Sequence, residues 1–181
     1  ARQYEEWMGM KALSYNIVLI GFMGTGKSTI ARKLGYLYKM DVVEMDEEIA
    51  RRQGMSIADI FAIHGEEYFR NLETGLLRKL KARGGCVVSC GGGAVLREEN
   101  VALMKENGRV VLLTATPRTV YGRVKDNTRR PILNGNMNEE YIAALMEARR
   151  GKYEAAADVV IATDGKDIGQ ICGEIASFLR P

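Results

Sequence analysis

The apolar, β-prone run Ile17-Val18-Leu19-Ile20 leads directly into Gly21-Phe22-Met23-Gly24-Thr25-Gly26-Lys27-Ser28, and no other stretch limits the possible folds so strongly. The octapeptide fits the spacing GxxxxGK[ST]. Phosphate oxygens need many donors at close range, and a loop of small residues that opens a helix aims backbone N–H groups and the helix's positive end at one point. Thr29 to Leu34 continues as that helix. Gly24, Thr25, Gly26 and Thr29 would place main-chain donors around a nucleotide's phosphates, and Lys27 would reach the β- and γ-phosphates. The Ser28 hydroxyl would complete a Mg²⁺ shell made mostly of water and phosphate oxygen.

A chain of 181 residues can bury a substantial core and suits one domain, read here as residues 15–181 behind an extension or linker over 1–14. The lead-in carries Trp7 and a Met8-Gly9-Met10 break and has no clear period. With 46% hydrophobic and 27% charged residues, the composition is that of an ordinary globular protein. No apolar run approaches the ~18 residues of a membrane span, and no secretory leader pattern is present, so a cytoplasmic location without a membrane partner is expected. A net charge of +3 is too small to argue for nucleic acid, though it mildly favours an anionic small molecule. Cys86, Cys90 and Cys172 form no CxxC pair and read as buried thiols; the only histidine, His64, reads as solvated.

Strand and helix patterns alternate along the chain. Predicted strands cover 15–20, 41–45, 86–90, 109–113 and 159–161. Predicted helices follow the phosphate loop to about Tyr38, then cover 46–53, a segment capped by Ser56 and stopped at Gly65, 66–82, 97–107, a start at Thr119, 139–156 with an interruption at Gly151, and 168–179. Continuously apolar strands between helices imply an α/β fold, a parallel sheet covered on both sides with ligands at the strands' carboxyl ends. The stretch from Lys125 to Asn136, with Arg129-Arg130-Pro131 among Asn and Gly, has the composition of a lid that closes over phosphates.

Neither the strand at 86–90 nor that at 109–113 ends in an acid that could face a metal. Glu44 and Asp46, two apart after the second strand, would share a face near the loop if extended, one towards metal waters and the other towards an acceptor. Gly91-Gly92-Gly93 closes the third strand and would let a ligand approach the backbone. Arg70 and Glu73 have the i, i+3 spacing of an intrahelical pair, with Glu73 fixing Arg70 in a pose that grips an anion bidentately.

Taken together, GFMGTGKS, Glu44-Met45-Asp46, Ile60-Phe61 followed by GEEYFRNLE, Gly91-Gly92-Gly93, Arg130-Pro131 and Arg149 with Tyr153 resemble shikimate kinases in order and spacing, from about Asn16 to Leu179. The resemblance implies a three-layer α/β/α P-loop kinase fold with a central five-stranded parallel sheet and a mobile lid. It also implies ATP-dependent phosphorylation of the 3-hydroxyl of shikimate in chorismate and aromatic amino acid biosynthesis, with Mg²⁺, by a monomeric domain that binds no nucleic acid. By the same resemblance Lys27 and Ser28 serve the ATP phosphates and Mg²⁺, and Asp46 hydrogen-bonds shikimate hydroxyls and assists deprotonation. Glu44, where the family usually has Asp, contacts metal water. Arg70 and Arg149 bind the shikimate carboxylate, with Gly91, Gly92 and Gly93 against the ring hydroxyls. Arg130 meets the phosphates from the lid, and Arg123 lies beside adenine. Two departures stand out: Glu44 is one methylene longer than Asp, and Gly151-Lys152 replaces the family's Pro-Leu after the arginine. Another P-loop metabolite kinase, of gluconate type, and a nucleotide-gated regulatory or nucleic-acid-binding module are the competing readings.

Overall fold

The structure is a computed structural model and describes residues 10–125 and 138–180. Five strands, β1 (Asn16–Ile20), β2 (Asp41–Glu44), β3 (Cys86–Ser89), β4 (Gly108–Thr114) and β5 (Val159–Ala162), pair in parallel in the order β2-β3-β1-β4-β5. β1 is central, so the loop after it opens at mid-edge, where the chain winds away in both directions.

Alternation along the strands divides the core. Val18, Ile20, Val88, Val110 and Leu112 face one hydrophobic cluster, and Ile17, Leu19, Val87, Val111 and Leu113 face the other. Both faces are covered, which is why the strands read as unbroken apolar runs. Helices α1 (Lys27–Tyr38) and α8 (Ile168–Leu179) close the second cluster through Ile30, Leu34, Ile171 and Ile175. The first cluster is closed by α4 (Glu66–Arg83), α5 (Glu98–Glu106), α6 (Pro117–Val124) and α7 (Glu139–Ala156), through Leu76, Leu77, Met104, Val120 and Ile142. Between β2 and α4 run α2 (Met45–Gln53) and α3 (Ile57–His64). Each fully buried Leu or Ile contributes roughly 1.5–3 kcal/mol, far more than helix propensity does, so this packing and not local preference holds the layers together.

Several helix ends follow from capping chemistry. The Ser56 hydroxyl accepts from the Asp59 N–H, and Asp167 with Gln170 forms a reciprocal capping box. Thr116 caps α6 with Pro117 at its first position, so that helix begins two residues before the expected Thr119. Gly151 does not interrupt α7. It lies mid-helix with nothing within 4 Å of a Cβ built on it, and its ~1 kcal/mol penalty is outweighed by the burial of Ile142, Tyr153 and Ala156 on the same helix. The helix expected over 97–107 is shorter, preceded by a 3₁₀ turn at Ala94–Leu96. The lid expectation falls almost wholly on residues 126–137 and lies outside the described residues.

Met10 and Leu13 pack against the α1–α8 side of the core. Among the described residues no helix is long and apolar enough to cross a membrane. All three cysteines are buried and unbridged, and burial pushes the Cys172 thiol up to about 11 and raises those of Cys86 and Cys90. The thiols are therefore protonated and inert at neutral pH. His64 is exposed and stacks on Tyr68, ring centroids 4.2 Å apart.

Candidate active site

Gly24 and Gly26 adopt φ of +77° and +93°, a backbone that L side chains resist, and so turn the loop tightly onto the N-terminus of α1. The first helical bond runs from Ile30 N–H to Gly26 C=O, leaving the amides of Lys27, Ser28 and Thr29 in the turn that precedes it. No acidic side chain sits in that first turn to satisfy or neutralise it. Thr25 is buried and turned inward, its hydroxyl donating to Phe22 C=O at 2.7 Å, so the side chain shapes the loop. Lys27 folds across the loop, Nζ donating to Gly21 C=O at 2.6 Å and Phe22 C=O at 3.0 Å. Its ammonium is thereby held over the concavity that the amides line.

Glu44 and Asp46 do not share the face of one strand. β2 ends at Glu44, and Met45, fully buried, already begins α2, so Asp46 belongs to the first turn of a helix. The break separates the two acids by direction. Glu44 accepts a hydrogen bond from Ser28 at 2.9 Å through Oε2, while its buried Oε1 has no hydrogen-bond partner among the described residues. Asp46 instead faces the strip of three glycines: a Cβ on Gly91 would lie 2.7 Å from Asp46 Oδ1.

The same strip meets the guanidinium groups. A Cβ on Gly93 would collide with Arg70, coming 2.7 Å from its Cζ, and one on Gly92 would sit 3.5 Å from Arg149 Nη1 and 3.6 Å from the Tyr153 hydroxyl. Any side chain at 93 would displace the Arg70 guanidinium from its present position. The Tyr153 hydroxyl donates to Gly92 C=O, joining α7 to the strip. Burial raises the Tyr153 phenol, against the opposing pull of Arg149. Arg70 donates to Glu73 at 2.7 Å and more loosely to Glu66 at 3.3 Å, with Glu73 completely buried. The expected intrahelical pair of Arg70 and Glu73 is present, and it lies in the interior.

Burial pushes the Glu73 carboxyl from its ordinary 4.5 up to about 7, with Arg70 opposing and Asp46 adding to the rise. Its Oε2 has no hydrogen-bond partner among the described residues and lies 3.3 Å from the Cβ position of Gly91, so one oxygen of the pair is solvated by nothing. The folded state therefore holds this proton more tightly than the unfolded state. Its contribution to stability is complete below about pH 4.5 and is lost as the pH rises through about 7. Glu73→Gln should remove that slope: in urea unfolding the unsubstituted protein should lose stability relative to the variant between about pH 5 and about pH 8.

Arg123, in the last turn of α6, donates to Gly24 C=O at 2.8 Å and reaches the Thr163 hydroxyl at 3.4 Å, bridging the phosphate loop and the segment after β5. Arg130 lies outside the described residues. A cavity of about 500 Å³ opens between β4 and α7, lined by Phe22, Thr25, Ala115, Met146 and Tyr153 among others. Lys27, Glu44, Asp46, Arg70 and Arg149 do not line it, but Phe22 and Thr25 of the phosphate loop and Tyr153 beside the strip do, so the cavity adjoins the charged site. No group of three or more His, Cys, Asp or Glu able to hold a metal occurs among the described residues. The tie from Arg123 to Thr163 is a contact that no spacing in the sequence announced, whereas Tyr153, singled out beside Arg149 at i, i+4, had no role assigned to it.

A loop built for phosphates thus lies beside two acids, a glycine strip and two guanidinium groups, an arrangement suited to moving a phosphoryl group onto an anionic hydroxyl compound. Known proteins agree with that chemistry. The family model for shikimate kinase matches residues 23–180. The shikimate kinase of Geobacter sulfurreducens is 46% identical over 169 residues, 91% of each chain. A shikimate kinase structure from Acinetobacter baumannii in complex with shikimate superposes with a TM-score of 0.87 at 31% identity, over 93% of this chain and 94% of that one. The enzyme from Aquifex aeolicus gives 0.79 at 35% identity, over 91% and 95%. With the family model matched over most of the chain and relatives 31–46% identical covered nearly end to end, this chain belongs to the shikimate kinase family and is a kinase.

Proposed function

We propose that this chain transfers the γ-phosphoryl group of ATP to the 3-hydroxyl of shikimate, giving shikimate 3-phosphate and ADP in aromatic amino acid biosynthesis. One observation carries the choice of acceptor: Arg70, Arg149 and Asp46 converge on Gly91-Gly92-Gly93, which pairs carboxylate-binding forks with a hydroxyl-binding acid on one bare strip of backbone. In this reading Arg70 and Arg149 hold the carboxylate, the strip receives the ring, and Asp46 orients the hydroxyl. The hydroxyl oxygen attacks the γ-phosphorus as its proton passes to the Asp46 carboxylate, and the bond from that phosphorus to the bridging oxygen breaks to release ADP. Gly24, Thr25, Gly26, Lys27, Ser28 and Thr29 hold the phosphates, Arg123 lies beside the base, and Arg130 meets the phosphates from its segment.

Ser28 and Glu44 fit a hydrated Mg²⁺: they offer hard oxygens, one of them the buried Glu44 Oε1, and Mg²⁺ keeps most of its waters when bound through one or two protein groups. Bound there with the nucleotide, the ion would neutralise phosphate charge. The protein in this reading works on two small molecules as a monomer in the cytoplasm.

A coupled ADP-release assay across shikimate, quinate and gluconate tests the proposal. Turnover should be confined to shikimate; equal or greater rates with gluconate overturn it. Arg70→Lys should raise KM for shikimate by about tenfold or more, because an ammonium cannot form the bidentate fork and leaves the space beside Gly93 unfilled. Steady-state kinetics at saturating ATP measures it, and an unchanged KM removes Arg70 from the carboxylate site.

A further inference from the structure

Behind the glycine strip runs a buried polar chain that touches none of the residues assigned to substrate except through α4 and the strip themselves. Thr74, one turn beyond Arg70 on α4, is 3% exposed, and Asn100 on α5 is wholly buried. The Thr74 hydroxyl lies 2.6 Å from Asn100 Oδ1 and 3.0 Å from Arg70 C=O. Having one proton, it donates across the shorter gap. The Asn100 amide donates in turn to Ala94 C=O at 2.9 Å, immediately after Gly93. Arg97 closes the far side, reaching Asn71 at 2.8 Å and the Thr74 hydroxyl at 3.4 Å.

The apolar packing of α4 on the core is made by Phe69, Leu76, Leu77 and Leu80. Packing of that kind is non-directional. Yet the Arg70 guanidinium lies where a side chain on Gly93 would begin, so its separation from the strip sets the space left for a ligand there. A directional link is needed, and buried hydrogen bonds supply one because breaking them strands a polar group in the interior. The chain from Thr74 through Asn100 to Ala94 spans the gap between the helix that carries Arg70 and the backbone that carries Gly93.

We propose that Thr74 and Asn100 are positioning residues that set the distance of the Arg70 guanidinium from the glycine strip, and through it the recognition of the acceptor's carboxylate. This rests on the assignment of shikimate as acceptor. Loss of the link lets Arg70 and the strip drift apart without touching the phosphate loop, so acceptor and nucleotide respond differently. Misplacements of ~1 Å at such sites cost up to two orders of magnitude, and a partial drift costs less.

Thr74→Val, which keeps the shape and removes the donor, should raise KM for shikimate about tenfold while KM for ATP stays within about twofold. Thr74→Ser, which restores the hydroxyl, should return KM for shikimate to within about twofold of the original. If Thr74→Val folds poorly, Thr74→Ala gives the same reading, because it also removes the hydroxyl without adding bulk. Calorimetric affinities for shikimate and for ADP check that the KM values report binding. Equal losses for both ligands, a lowered melting temperature with shikimate KM unchanged, or failure of Thr74→Ser to rescue would overturn the proposal. The unsubstituted protein, run alongside on shikimate, reports separately on the acceptor assignment.

Discussion

Lys27→Ala should lower kcat by about 10³-fold while the fold and melting temperature stay as they are. Position 27 opens α1, where alanine is the best helix former, and the side chain is only partly buried, so nothing in the core depends on it. What the substitution removes is an ammonium already drawn over the loop by Gly21 and Phe22 carbonyls. Phosphoryl transfer offers the protein little covalent work; the barrier falls by alignment and by countering charge on the transferring group. Those loop carbonyls restrict a flexible four-carbon stem to the neighbourhood of the loop, which lowers the ordering cost when phosphates bind. Single-turnover rates with circular dichroism of both proteins check this. Near-normal kcat in Lys27→Ala would mean that the loop amides alone carry the charge.

The sequence disclosed most of this molecule because its signals are local. The phosphate loop is one contiguous octapeptide, and the strands declare themselves because a sheet covered on both faces needs apolar residues at every position from Ile17 to Ile20 and from Val110 to Leu113. The reading went astray where the deciding contact is distant. The shared face of Glu44 and Asp46 required the strand to extend through Asp46, but the helix begins already at the fully buried Met45, one residue before the expected Asp46, with Asp46 beside the glycine strip and Glu44 on Ser28. Gly151 reads as a break, but the buried residues on either side of it hold α7 continuous. Thr74 and Asn100, 26 positions apart, carry no motif. Their meaning exists only once α4 and α5 are packed together.

Depth of burial was likewise invisible. Arg70 and Glu73 have the spacing of a solvated pair worth about 0.2–0.5 kcal/mol, and nothing in the spacing tells that Glu73 has no exposure at all. In the interior the surface figure no longer applies, because no water reaches Glu73 to compensate for a lost partner. Arg70 is therefore held by a group that cannot relax towards water, which suits a fork that must be in place before its anion arrives.

Asp46→Asn should reduce kcat on shikimate by about 10²–10³-fold and leave nucleotide affinity within about twofold. The amide has the same shape, keeps one oxygen, and sits in the first turn of α2, where both residues are tolerated, so Gly91 is not crowded further. It has lost the ability to take the hydroxyl proton and the negative charge that favours the proton's departure. The acid that accepts from Ser28 in the phosphate loop is Glu44, so the change at Asp46 leaves that hydrogen bond in place. Kinetics should therefore show kcat falling at saturating shikimate, and calorimetry should show ADP binding nearly as before. A parallel fall in ADP affinity would place Asp46 with Glu44 on the nucleotide side, and the division of labour between the two carboxylates, which rests on the helix starting at Met45, would have to be abandoned.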